Sequence, residues 1–196
     1  MRVGIIALQG SVEEHVRAAE RALSERGGGE AVSVKHAGII PSCDAIILPG
    51  GESTTIGRLM LREGIADEIK SAAKGDVPIL GTCAGLILLA RYGDKQVEQT
   101  NQFLLELMNI HVTRNAFGRQ RESFETPLKI SVIGEKAFNA VFIRAPAITK
   151  VGENVEILAK CNGYIVAAKQ DKLVALAFHP ELTRDTRLHH FFFDLV

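Results

Sequence analysis

Gly81-Thr82-Cys83-Ala84-Gly85 sets a cysteine between two glycines, where an apolar run ends and a helical pattern begins. A G-x-C-x-G at a strand-to-helix turn is the thiol form of the nucleophile elbow. Such a turn is too tight for bulky neighbours, and it lifts the sulfur out of the sheet edge. The start of the next helix directs free N–H groups and a positive dipole end at that sulfur, which favours thiolate. Taken alone, the cysteine also fits a small buried hydrophobe. A base far downstream favours chemistry. His179-Pro180-Glu181 follows the apolar run 173–178. Pro180 pushes His179 toward extended backbone, where side chains two apart point the same way. His179 and Glu181 are then presented side by side. A carboxylate there sets the imidazole tautomer and stabilises the imidazolium. In a Cys83–His179–Glu181 series, Cys83 attacks a carbonyl carbon. His179 takes the thiol proton and later protonates the leaving nitrogen, and water cleaves the thioester. The N–H groups of Ala84 and Gly51 are the candidate oxyanion donors. From these residues alone the chain is an amide or ester hydrolase of unspecified substrate.

The elements that must position these groups follow from hydropathy. Residues 3–8, 44–48 and 77–80 are short apolar runs without polar alternation, as in parallel strands buried on both faces. A helix is expected after Ser11, with Ser11 and Glu14 in capping-box spacing and Val12, Val16, Ala19 and Leu23 on one stripe. It stops at Gly27-Gly28-Gly29. A second helix (Ile56, Leu59, Met60) is expected to take Ser53 as its N-cap, and Leu86, Leu89 and Ala90 share one side of a third. Alternating strands and helices predict a doubly wound, mostly parallel α/β sheet of flavodoxin-like type. The second half adds an antiparallel meander. Val155, Ile157, Ala159 and Cys161 alternate with polar residues, Asn162-Gly163 is a strong hairpin signal, and a turn at 170–172 leads to the strand 173–178. Leu188, Phe191, Phe192 and Leu195 mark a last helix. Without linker or repeat, residues 1–196 read as one domain. Ligands of an open α/β sheet bind beyond the carboxyl ends of its strands. The loops Gln9-Gly10-Ser11, Pro49-Gly50-Gly51-Glu52-Ser53 and Thr82-Cys83-Ala84 should share that rim.

Bulk composition excludes several classes. Among 196 residues, 23 Lys+Arg balance 23 Asp+Glu, so no nucleic-acid or membrane-surface partner is indicated. Three cysteines (Cys43, Cys83, Cys161), few and far apart, show neither a disulfide framework nor zinc spacing. The start of the chain lacks a signal-peptide layout, and no apolar run approaches the ~18–20 residues of a membrane span. The expectation is a cytoplasmic protein with no cofactor and no metal. His189-His190 lacks the spacing that converges on an ion. His15, His36 and His111 read as structural or solvated, Cys43 and Cys161 as core or strand residues.

Longer strings carry a family resemblance that runs nearly end to end. They are Ile6-Ala7-Leu8-Gln9-Gly10, Leu48-Pro49-Gly50-Gly51-Glu52-Ser53-Thr54-Thr55, the elbow, Arg114-Asn115-Ala116-Phe117-Gly118-Arg119-Gln120, Phe142-Ile143-Arg144-Ala145-Pro146 and Phe178-His179-Pro180-Glu181-Leu182-Thr183. The elbow and His-Pro-Glu resemble class I, triad-type glutamine amidotransferases. The other strings are more similar to the glutaminase subunits of pyridoxal 5′-phosphate synthases. The resemblance implies a triad of Cys83, His179 and Glu181, and L-glutamine held by Gly51, Glu52, Ser53, Arg114, Ile143 and Arg144. Glutamine carries an α-ammonium for Glu52 to pair and an α-carboxylate for Arg114 to hydrogen-bond, unless Arg114 instead orders the loop that does so. Without that context, Arg114, Arg119, Arg121 and Arg144 would read as a solvated basic rim.

The resemblance also implies a partner, a (β/α)₈-barrel synthase subunit in a large hetero-oligomer. It would receive ammonia directly and build the pyridoxal ring from a pentose phosphate and a triose phosphate. Latency until docking is implied too, with a flip of the Gly50–Gly51 peptide completing the oxyanion hole and Gln9 with the first helix meeting the partner. The alternatives are a glutaminase of imidazole glycerol phosphate synthase, a free-standing cysteine hydrolase, and a scaffold subunit that keeps only the fold. Segment 88–105, the glycine run 27–29 and the C-terminal residues carry no family signature.

Overall fold

The computed structural model describes residues 1–118 and 123–196. Arg119, Gln120 and Arg121 of the sequence reading lie outside the described residues. In chain order the strands are β1 (Arg2–Ile6), β2 (Glu30–Val34), β3 (Ala45–Leu48), β4 (Ile79–Thr82), β5 (Ala90–Gly93), β6 (Met108–Thr113), β7 (Ser123–Leu128), β8 (Phe138–Ile143), β9 (Ala147–Val151), β10 (Glu156–Cys161), β11 (Tyr164–Gln170) and β12 (Leu173–Leu176). The α-helices are α1 (Val12–Glu25), α2 (Ser53–Arg62), α3 (Ile65–Lys74), α4 (Ala84–Leu89), α5 (Lys95–Gln99) and α6 (Arg187–Phe193).

The apolar runs pair in parallel in the order β1-β3-β4-β12, with β2, a more polar strand that the sequence reading does not mark, added in parallel at the edge beside β1. Every residue of β3, β4 and β12 is buried, which is why these strands lack alternation. The chain leaves β1 first for β2 on one side and then for β3 on the other. The order therefore reverses at β1/β3, opening a crevice at their carboxyl ends. Beyond β12 the sheet turns antiparallel through β11 and β9 to β6, and β10 pairs with β11. The expected meander is present. Asn162 (φ 49°) and Gly163 (φ 82°) both take positive φ at its first turn, as a type I′ hairpin requires.

A separate two-stranded ribbon, β7–β8, packs on the main sheet through aromatic rings. Phe142 stacks on Phe124 at 4.7 Å and meets Phe178 at 5.5 Å, and Phe138 meets Phe178 at 5.9 Å. Phe178 immediately precedes His179, so the ribbon braces the histidine.

Several local expectations are corrected. Ser11 makes no capping hydrogen bond to α1, because its hydroxyl is used elsewhere. The N-cap of α2 is Glu52, whose carboxylate accepts from the N–H groups of Thr54 and Thr55, and Ser53 is the first helical residue. Helix α4 has no exposed side: all six of its residues are buried, and Ala90 already starts β5. In α6 the buried residues are Leu188, His189, Phe192 and Phe193, so Phe191 and Leu195 are not on the innermost face. Among the described residues, no helix is long and apolar enough to cross a membrane.

Candidate active site

Cys83 sits between β4 and α4 with φ 49° and ψ −101°. This is backbone that a side-chain-bearing residue adopts only under constraint, at roughly 1–3 kcal/mol. Its N–H is held by the carbonyl of Leu176 at 2.8 Å. Both flanking glycines are required by contact: a Cβ at Gly81 would come within 2.6 Å of the Gly85 backbone, and one at Gly85 within 2.2 Å of the Leu48 carbonyl oxygen. Cys83 is 8% exposed, and its Sγ lies 3.8 Å from the carbonyl oxygen of Ile143.

His179 leaves the end of β12, its N–H donating to Val141 O at 2.9 Å. The expected extended geometry stops there, since residues Pro180–Leu182 form a 3₁₀ turn. That turn still brings the pair together, with His179 Nδ1 2.7 Å from Glu181 Oε1. A carboxylate accepts only, so Nδ1 carries the proton and Nε2 is the free face of the ring. Burial pushes the imidazole down, but the neighbouring Cys83 and Glu181 outweigh it and raise the ring to about 10. Glu181 is completely buried. Burial pushes its carboxyl up, while the neighbouring imidazoles of His15 and His179 hold it well below the usual carboxylate range.

Cys83 and His179 open into a cavity of about 460 Å³ at the carboxyl rim of the sheet. Gly51, Glu52, Ser53, Ala84, Arg114, Ile143 and Arg144 all line it, while Glu181 lies behind His179. Gly50 is pressed so closely to the ring that a Cβ there would sit 2.4 Å from His179 Cε1. Its carbonyl accepts from Ser11 N–H at 3.0 Å, and Glu52 N–H donates to Gln9 Oε1 at 2.8 Å, which pins the loop from both sides.

The charged lining is more committed than the sequence implies. Glu52, besides capping α2, pairs with Arg114 at 3.4 Å. Burial raises its carboxyl, yet the Thr54 and Thr55 hydrogen bonds prevail and bring it to about 2. Segment 88–105, silent in the sequence, supplies the supports. Gln102 Oε1 accepts from Ser53 Oγ at 3.0 Å and from Arg114 at 3.5 Å, and Asp94 accepts from the Arg114 N–H at 3.1 Å. These contacts join residues far apart in the chain, so no local spacing announces them.

The other histidines separate as well. His36 pairs with Glu63 on the surface and His111 stacks on Tyr92, whereas His15 is fully buried against Glu181 and Thr82. Solvation is ruled out for His15. Among the described residues, no group of three or more His, Cys, Asp or Glu side chains is arranged to hold a metal ion.

With a cysteine turn after β4 and a histidine–glutamate pair after the adjacent β12, the sheet has the architecture of a glutamine amidotransferase. The chain belongs to the SNO glutamine amidotransferase family, whose model matches residues 5–196. It is 61% identical to the pyridoxal 5′-phosphate synthase subunit PdxT of Methanococcoides burtonii, over 99% of this chain and 98% of that one. It is 57% identical to the PdxT subunit of Archaeoglobus fulgidus, over 100% and 98%. A solved glutamine amidotransferase matches with a TM-score of 0.87 and 43% identity, covering 98% of this chain and 97% of its own. The structure of PurLQS from Thermotoga maritima, at a TM-score of 0.65 and 17% identity, shares the fold.

Proposed function

We propose that this chain is the glutaminase subunit of a pyridoxal 5′-phosphate synthase, acting as one domain over residues 1–196 in the cytoplasm. It hydrolyses L-glutamine to L-glutamate and ammonia. The observation that carries the chemistry is the pair in which Glu181 holds His179 Nδ1 at 2.7 Å, with His179 and Cys83 opening into the same cavity. Cys83 sulfur attacks the side-chain amide carbon of glutamine, forming a C–S bond and a tetrahedral oxyanion. The N–H groups of Ala84 and Gly51 receive that oxygen. Protonated His179 gives its proton to the amide nitrogen as the C–N bond breaks, and ammonia leaves. Water then loses a proton to His179 and attacks the thioester, releasing glutamate and the thiol. Glu181 stays ionised throughout and fixes the tautomer.

Glu52 and Arg114 carry the charges complementary to the α-ammonium and α-carboxylate of glutamine, so binding replaces one ion pair by two. Gly51 contacts the substrate from the loop after β3 and Ser53 from the start of α2, Ile143 and Arg144 from the end of β8. Ammonia passes to a (β/α)₈-barrel synthase subunit in a large hetero-oligomer. The PdxT names of the relatives and the match to the family model support this reading.

The test mixes the chain with its candidate synthase subunit and supplies glutamine, a pentose phosphate and a triose phosphate. Glutamate and pyridoxal 5′-phosphate should form together, and Cys83→Ala should abolish both. Steady glutamate release that no synthase subunit alters would instead indicate a free-standing hydrolase.

A further inference from the structure

We propose that His15 is a positioning residue of this site, fixing the Glu181 carboxylate and tying it to the strand end that bears Cys83. The proposal rests on the reading of Cys83, His179 and Glu181 as the reacting series. Two hydrogen bonds, from His179 Nδ1 and from the Ser11 hydroxyl at 2.9 Å, and a contact with His15 Nε2 at 3.3 Å converge on one oxygen, Glu181 Oε1. A bare Nε2 would set its lone pair against a carboxylate oxygen, so the His15 proton sits on Nε2. The same nitrogen lies 3.0 Å from Thr82 Oγ1, and Thr82 is both the last residue of β4 and the neighbour of Cys83. His15 thus spans the two ends of the series from α1, with no exposed surface of its own.

Glu181 Oε2 is buried, and among the described residues it has no hydrogen-bond partner. The orientation of the carboxylate therefore depends on its Oε1 contacts alone, about a terminal torsion that is intrinsically broad. Losing one donor lets the group rotate away from His179. The titratable groups facing Glu181 are His179 in its own turn, His15 of α1 and His189 of α6, with Arg21 of α1 acting on His189 and Cys83 on His179.

The experiment follows glutamate formation against pH in the complex with the synthase subunit, for wild type, His15→Leu and His15→Gln, with a thermal melt of each. In parallel, alkylation of Cys83 by iodoacetamide is followed against pH in the chain alone, read at the Cys83 peptide. His15→Leu should lower kcat about ten- to hundredfold with KM for glutamine within about twofold, the loss expected for one hydrogen bond to a charged group. The acid limb of both profiles should move to higher pH, because a carboxylate with one donor fewer takes up a proton more readily. His15→Gln, whose amide nitrogen reaches the place of Nε2, should restore most of the rate and the limb.

Unmoved limbs in His15→Leu would overturn the proposal, whether its rate is wild-type or falls only in step with its melting temperature. So would a His15→Gln protein that melts normally yet is as impaired as His15→Leu. Should His15→Leu not fold, His15→Asn, whose amide stops short of the Nε2 position, replaces it with the same expected losses and the same overturning results. Failure of the wild-type complex to release glutamate would sink the glutaminase reading instead, and the alkylation profiles would still decide the role of His15.

Discussion

Arg114 illustrates how a single side chain is prepared for a charged ligand. Its guanidinium touches Glu52 and Gln102 while its own N–H is held by Asp94, so it is oriented before any substrate arrives. An arginine fixed in this way loses little rotamer freedom when a carboxylate replaces one of its partners. Arg114→Ala should raise KM for glutamine by about ten- to hundredfold, the loss expected for a charge-assisted contact. Its kcat should change far less, because the contact is equally present in ground and transition states. Steady-state kinetics in the synthase complex checks this. An equal fall in kcat and kcat/KM would mean that Arg114 acts on the reacting atoms.

At the scale of elements, the elbow is held by steric necessity between β3, β4 and α4. The 2.2 Å approach that a Gly85 Cβ would make to the Leu48 carbonyl leaves α4 no room to stay in place. Gly85→Ala should cost at least about 2 kcal/mol of stability in urea unfolding, in the range of core overpacking, with activity falling through displacement of Cys83. The elbow, the His-Pro-Glu pairing, the four apolar parallel strands β1, β3, β4 and β12 and the Asn162-Gly163 hairpin were legible, because each is written in adjacent residues.

Other elements were written just as locally and still passed unread. Met108, Ile110 and Val112 alternate cleanly in β6, as do Phe138, Ala140 and Phe142 in β8. What lay beyond reach was side-chain allegiance over long separations. Nothing near Ser11 says that its hydroxyl serves Glu181 instead of its own helix. Nothing near Glu52 says that it caps α2 while pairing with Arg114, and Gln102 meets Ser53 across 49 residues.

For the molecule as a whole, buried titratable groups set the pH range over which the fold is stable. His179 is raised to about 10, so its contribution is complete below its ordinary value of 6.5 and is lost as pH rises through about 10. Glu181 is lowered, so its contribution is complete above 4.5 and is lost as pH falls through its folded value. His189 works the other way at the acid side. Burial above all lowers it to about 3, and among the described residues its ring nitrogens have no hydrogen-bond partner. The unfolded chain binds its proton between 6.5 and about 3 while the folded one does not, so stability declines as pH falls through that window. Melting temperatures should therefore begin to drop below about pH 6.5. In His189→Leu the decline should start lower, near the carboxylate range. Identical acid limbs for the two proteins would rule out His189 as the cause.

The seam between β4 and β12 has one last consequence. The nucleophile and its base leave neighbouring strands at the same end, and those strands run one rung of the backbone ladder apart, about 4.8 Å. Remodelling of the 94–102 surface could retune what the protein recognises, yet it would leave that reach untouched. Reactivity and selectivity are thereby built into different parts of the chain, free to change at different paces.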